Sequence, residues 1–334
     1  MNGVLISILA NLSFVISNVL FRKTEHEASP KFINTFRTLL GTITFFIMAL
    51  IFGIFADIFA IPPILWVILI VSFIFGQVIG DTSYFTAQKH LGATKAMAVS
   101  MTFPLFTFLL SMIFLDQEFE IKFVLSLILI GIGVMIIGKY KFKDEIKDSV
   151  KEITDEDING KVEDRSEDDL EFTSDFNQNL QKDSSKHYIA VLFGLIASLG
   201  WAIALVMVNY ATNEINALLN LGSMSSIAGS AIRFPAVLVI LLFMLYKEDK
   251  HPLKNKTSES WVWLILAALI GTSLGAYLYM EATRIAGATT MALIASANPL
   301  FSLPLTYIFN KEKISSWGFL GVLLTIIGVV LIIY

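Results

Sequence analysis

The chain contains no cysteine among its 334 residues, which excludes disulfides, thiol catalysis and cysteine metal sites. Its four histidines, His26, His90, His187 and His251, are scattered without metal-ligand spacing, so neither a metal nor any other cofactor is expected. Charge is scarce as well. Only 16% of residues are charged against 55% apolar, which is not the composition of an ordinary soluble domain. The charge that exists is unevenly placed: residues 139–187 hold nine Lys/Arg and fifteen Asp/Glu, a balance of −6, and the remaining fifteen and thirteen give +2. The net charge of −4 therefore reports one acidic segment and gives no reason to expect a nucleic-acid partner.

Apolar runs dominate. They fall at 3–21, 33–55, 64–88, 96–115, 122–138, 188–211, 227–246, 261–283, 288–309 and 316–334, close to the roughly 20 residues that cross a bilayer as a helix. Lipid offers backbone groups no partner outside their own segment, so these runs predict an all-α integral membrane protein with ten transmembrane helices. The first run lacks a basic leader and a small-residue cleavage site, and is read as a retained span.

The stretch starting at Gly76 recurs at Gly271. Aligned without a gap at an offset of 195, the copies share ten identities in thirty-one positions, among them Gly76/Gly271, Gly80/Gly275, Tyr84/Tyr279, Gly92/Gly287 and Pro104/Pro299. Arg37 corresponds to Arg233 at an offset of 196, and Phe14 to Trp201. The expected organisation is a first five-helix repeat over 1–138, an acidic linker without fixed structure over 139–187, and a second repeat over 188–334. Five is odd, so the second unit enters the membrane inverted relative to the first. Inverted repeats place a binding site near the midplane and let the units rock in alternation. Loops after odd-numbered spans carry 20 Lys/Arg and the others only Lys122 and Arg284; by the positive-inside rule the linker side is cytoplasmic.

Span three bears Gln77, Asp81, Tyr84 and Gln88 at i, i+4, i+7 and i+11, one helix face. A carboxylate at membrane depth costs about 3 kcal/mol, so Asp81 should line a substrate cavity or pair with Arg37. Arg37 and Arg233 either snorkel to the interface or bind an anionic group. Ser273, Tyr277 and Glu281 form a shorter polar stripe, although Glu281 is also three residues from Arg284, the spacing of a local ion pair. Asn11, Phe14 and Trp201 can orient a solute or join helices. Gly76, Gly80, Gly271 and Gly275 read as close helix packing, and Pro104 and Pro299 as kinks.

These features resemble the EamA family of the drug/metabolite transporter superfamily. The resemblance is carried by the two glycine-rich spans that run into GATKAMAVSMTFPLF and GATTMALIASANPLF, and by the turns LDQE at Leu115 and NKEK at Asn310. It implies a 5+5 inverted-repeat secondary transporter in the cell membrane, moving small organic metabolites, amino acids or drugs, with export one direction and the oligomeric state open. The family's usual cytoplasmic termini run against the Lys/Arg count. Its small multidrug relatives use a glutamate in the first helix; span one here has none, leaving Asp81 or Glu281 as substitutes. A channel or lipid scramblase sharing the fold is the alternative. An intramembrane enzyme is not expected: there is no His-Glu-x-x-His pair and no histidine well inside a span.

Overall fold

The computed structural model describes residues 2–24, 27–91, 96, 99–100, 102–136, 169–246, 257–298, 300–301 and 316–333. Among the described residues there are helices and no strands. Six are long and apolar enough to cross a membrane: Gly3–Phe21, Lys31–Ile51, Pro63–Gln88, Tyr188–Leu219, Met224–Tyr246 and Ser258–Ala286. Phe103–Phe114, Ile121–Ile136 and Phe319–Leu331 are shorter apolar helices. The chain is a multi-pass membrane protein. Of the ninth apolar run, the described part includes a helix over Ala288–Ser296, and residues 302–309 lie outside the described residues.

In chain order the elements are α1 (Gly3–Arg22), α2 (Pro30–Ile51), α3 (Phe55–Ala60) and α4 (Pro63–Phe73). A π-helical segment (Ile74–Asp81) continues α4 into α5 (Thr82–Leu91), so the third crossing is one rod with a widened turn inside it. Then come α6 (Phe103–Phe114), α7 (Ile121–Ile136), α8 (Asp169–Leu219) and α9 (Met224–Tyr246). The crossing from α10 (Ser258–Ala267) to α11 (Ala276–Ala286) holds a second π-helical segment (Ala268–Gly275), followed by α12 (Ala288–Ser296) and α13 (Ser316–Ile333). Thus the two π segments lie at corresponding places in the repeated sequence.

Helix starts follow from capping residues. Asn2 accepts from the Val4 amide, Ser29 from the Phe32 amide with Pro30 next to it, and Thr257 from the Ser260 amide. Buried hydroxyls along α1 and α2 bond to their own helix: Ser7 to the Gly3 carbonyl, Thr38 to Asn34 and Thr42 to Thr38. This internal satisfaction lets polar residues sit in an apolar layer without unpaired groups. Large apolar side chains such as Leu50, Ile64, Ile113 and Val239 are exposed on the outer faces, which suits a lipid surface rather than water.

Three differences from the sequence expectations concern boundaries. The second run ends at Ile51, and Gly53, at φ +71°, turns the chain into the separate helix α3. The helix leading to span six includes 169–187, part of the segment expected as an irregular linker; that stretch holds neither glycine nor proline to stop it, while 137–168 lie outside the described residues. The fourth run is interrupted at Thr102, where the chain turns before α6.

The interior has two principal layers. Phe45, Leu69, Val208, Ile215, Ile232, Phe234 and Met280 join α2, α4, α8, α9 and α11. Ile6, Ala10, Phe103, Leu205, Met291 and Ala292 join α1, α6, α8 and α12. Farther out, Phe108, Ile130, Val134, Leu293 and Val329 hold α7 and α13 against α6 and α12. These packed layers fix the helices whose inner faces carry the polar residues.

Candidate functional site

One carboxylate connects three helices. Asp81, at the end of the first π segment, has its Oδ2 3.7 Å from the Arg37 Nη2 on α2, and its Oδ1 accepts from the Trp201 indole N–H on α8 at 3.0 Å. Arg37 Nε donates to Asn34 Oδ1 at 2.8 Å, and Gln77 Nε2 donates to the same oxygen at 2.7 Å. Gln77 Oε1 is buried without a partner. Arg37 and Asp81 keep 29% and 27% of their side-chain surface open, so this ion pair is only partly covered.

The Trp201 ring fits because position 80 is glycine: a Cβ there would stand 2.7 Å from Trp201 Cδ1 and Nε1. The indole packs against Tyr84 at 5.4 Å and edge-on to Phe103 at 6.1 Å. The other copy has a similar arrangement. Tyr279 meets Phe14 edge-on at 5.7 Å, and a Cβ at Gly275 would lie 3.5 Å from the Phe14 ring. A Cβ at Gly76 would stand 3.1 Å from the Ala204 Cβ, and one at Gly271 would collide with Ser17.

Arg233, the counterpart of Arg37, sits differently. It is 8% exposed, its guanidinium carbon lies 4.6 Å over the Phe73 ring, and its Nε has no partner. The Tyr279 hydroxyl is within electrostatic reach of both Arg233 and Asp81.

Glu281 forms a third polar group. It is 4% exposed and takes Arg284 Nη2 at 2.6 Å, Arg284 Nε at 2.9 Å and the Ser226 hydroxyl at 2.8 Å. Beside it the Asn209 amide donates to the Thr283 carbonyl, so α8, α9 and α11 are tied together at that end. The rest of the Ser273 stripe separates: Ser273 donates to Thr44 at 3.0 Å, and Tyr277 packs half-buried against the α2–α9 core.

The structure thus brings together Arg37, Gln77, Asp81, Tyr84 and Trp201, with Phe14, Tyr279 and Arg233 adjoining. It leaves Glu281 in a separate cluster. Asn11 is buried, its amide donating to the Ser7 carbonyl at 2.8 Å in its own helix, and Gln88 is half-buried farther along α5. Pro104 occupies the first turn of α6, where its missing N–H costs nothing, so the break falls before it at Thr102. Pro299 lies outside the described residues. Sequence reasoning missed three neighbours of the candidate residues: Asn34 beside Arg37, Phe73 beside Arg233, and Ser226 in the separate Glu281 cluster. Asn34 had a readable signal, standing one turn before Arg37 on the same face. Ser226 and Phe73 had none, because their roles arise only when α9 meets α11 and α4.

Among the described residues no three His, Asp or Glu side chains gather to hold a metal. What the arrangement can do chemically is bind: it offers a half-open ion pair, indole and phenol hydrogen-bonding edges, and aromatic faces for an apolar body.

The sequence profile described as the EamA-like transporter family matches residues 1–139 and 188–334. A protein of Archaeoglobus fulgidus named an uncharacterized transporter is 22% identical over 332 residues, covering 99% of this chain and 97% of that one. A second, of Clostridium kluyveri and with the same name, is 29% identical over 132 residues, 39% of this chain and 42% of the relative. One solved crystal structure superposes with a TM-score of 0.68 at 15% identity, covering 98% of this chain and 94% of the other; at that identity the likeness speaks for a shared fold alone.

Proposed function

The chain belongs to the EamA-like transporter family, and from that premise we propose that it is a secondary carrier of small organic solutes working by alternating access. Two inverted five-helix units, 1–138 and 188–334, enclose the site in the cell membrane, with the linker side cytoplasmic. The solute lies between Arg37–Asp81 and Trp201 on one side and Phe14, Tyr279 and Arg233 on the other.

The observation that carries this reading is the matched packing across the two halves. Gly76 on Ala204 corresponds to Gly271 on Ser17, and Tyr84 on Trp201 to Tyr279 on Phe14. Equivalent interfaces on both sides of one site are what rocking needs, since each can open while the other stays packed. The widened turns at Ile74–Asp81 and Ala268–Gly275 supply candidate flexing points beside the solute.

The cysteine-free sequence makes the test direct. Single cysteines replacing Gln88 and Tyr277 should react with membrane-impermeant thiol reagents from opposite faces. A transported solute should move the two labelling rates in opposite directions. Rates that rise or fall together, or that ignore every solute, contradict alternation.

A further inference from the structure

We infer that Arg233 is the docking point for a carboxylate group on the transported solute. This rests on the carrier reading and deepens it by naming a chemical class.

Arg37 and Arg233 hold corresponding places in the two halves, but only one is provided for. Arg37 bonds Asn34 through Nε and faces the Asp81 carboxylate. At the same offset of 196, Asn34 corresponds to Ser230, whose hydroxyl is turned to the Met280 sulfur at 2.8 Å. Asp81 corresponds to Ala276 at the offset of 195. Arg233 has therefore lost both partner types. Its Nε is buried and unpaired, and the ion pairs found among the described residues, Arg37–Asp81, Lys122–Glu120 and Arg284–Glu281, do not include it. An arginine keeps its charge, and a buried charge without a counter-ion is costly. The Phe73 face at 4.6 Å offsets part of that cost but is no anion.

Phe73, over which Arg233 lies, Ala276, at the place that Asp81 holds in the other half, and Tyr279 are each half-buried. A solute carboxylate placed there would complete on Arg233 the pair that Asp81 completes on Arg37. The guanidinium fork suits a carboxylate through two parallel N–H donors, and Phe73, Tyr279 and Phe14 offer aromatic faces to the remainder of the molecule. Asp81 cannot serve as that anion while it is held by Arg37 and Trp201.

The test uses the full chain purified in detergent and isothermal titration with acetate, benzoate and phenylacetate, each paired with its neutral amide, plus inorganic phosphate. The tightest carboxylate should bind at least tenfold more tightly than its amide, the worth of one charge-assisted hydrogen bond. Arg233→Gln should erase that preference and Arg233→Lys keep part of it. Ala276→Asp, which supplies the carboxylate from the protein itself, should abolish carboxylate binding with the chain still folded by circular dichroism; it serves where Arg233→Gln fails to fold. Equal affinity for acid and amide, no binding of any carboxylate, or a preference for phosphate over every carboxylate overturns the proposal, as does an acid preference untouched by both Arg233→Gln and Ala276→Asp. A solute that shows counterflow yet is bound without regard to charge would remove the anion site and leave the carrier standing.

Discussion

Replacing Gly80 by alanine should dislodge Trp201 and uncouple it from Asp81. The added Cβ would stand 2.7 Å from two indole atoms, where ordinary contact begins near 3.4 Å; the ring must retreat by about 0.7 Å. The indole is tethered at 3.0 Å to Asp81 and flanked by Tyr84 and Phe103, so retreat stretches the hydrogen bond past its useful range. Losing a hydrogen bond to a charged group costs about 1.5–3 kcal/mol, and holding the ring in place against the methyl costs about 1–3 kcal/mol. These are two ways of relieving one clash, so the cheaper sets the loss, about 1–3 kcal/mol relative to a glycine-to-alanine change in open space. It can be read as the unfolding free energy from a denaturing-detergent titration in micelles. Gly131→Ala is the control: nothing lies within 4 Å of its Cβ position, and alanine's helix preference makes it neutral or up to about 1 kcal/mol stabilising. In a Trp201→Leu background the penalty at position 80 should shrink by more than the roughly 0.5 kcal/mol expected of independent sites. Gly80→Ala as stable as Gly131→Ala, or a penalty unchanged in that background, refutes the reasoning.

Three further outcomes follow from the geometry. Asp81→Asn keeps the shape but leaves Arg37 without its counter-ion, so solute flux into vesicles should fall about tenfold, one lost charge-assisted contact; an unchanged rate removes Asp81 from the site. Glu281→Ala leaves the half-buried Arg284 without its counter-ion and should cost about 1.5–3 kcal/mol in the same detergent titration, whereas a loss under about 1 kcal/mol would mean the pair is solvated. Gly287 links α11 to α12 at φ +86° and ψ 158°, a conformation reserved for glycine, so Gly287→Ala should lower stability by about 1–3 kcal/mol, and a melting temperature equal to the parent's would contradict the strain.

What the sequence made legible was whatever follows from composition and spacing. Apolar runs marked the crossings because lipid enforces helices, and the face shared by Gln77, Asp81 and Tyr84 was visible in its spacing. The widened turns at Ile74–Asp81 and Ala268–Gly275 were not legible, since they change which carbonyl each amide meets without changing any residue pattern. The helical part of α8 before Tyr188 escaped because charge density argues against a buried core and says little about a helix outside the membrane. Asp81 could be named as a site residue, but its indole partner comes from α8, 120 residues away, and only the close approach permitted by Gly80 and Gly200 brings them together. The contrast between Arg37 and Arg233 was likewise hidden: the sequence aligns them as equals, and only packing reveals that Ser230 has turned to Met280.

In the proposed mechanism, solute crosses through a site exposed to one face at a time. Counterflow measures this most directly: the purified chain is reconstituted into vesicles loaded with unlabelled solute, and a trace of labelled solute is added outside. A carrier predicts transient accumulation of label above its external concentration, saturating with solute and reduced by Asp81→Asn. Label that merely equilibrates, at a rate linear in concentration, would contradict alternating access and point to a channel.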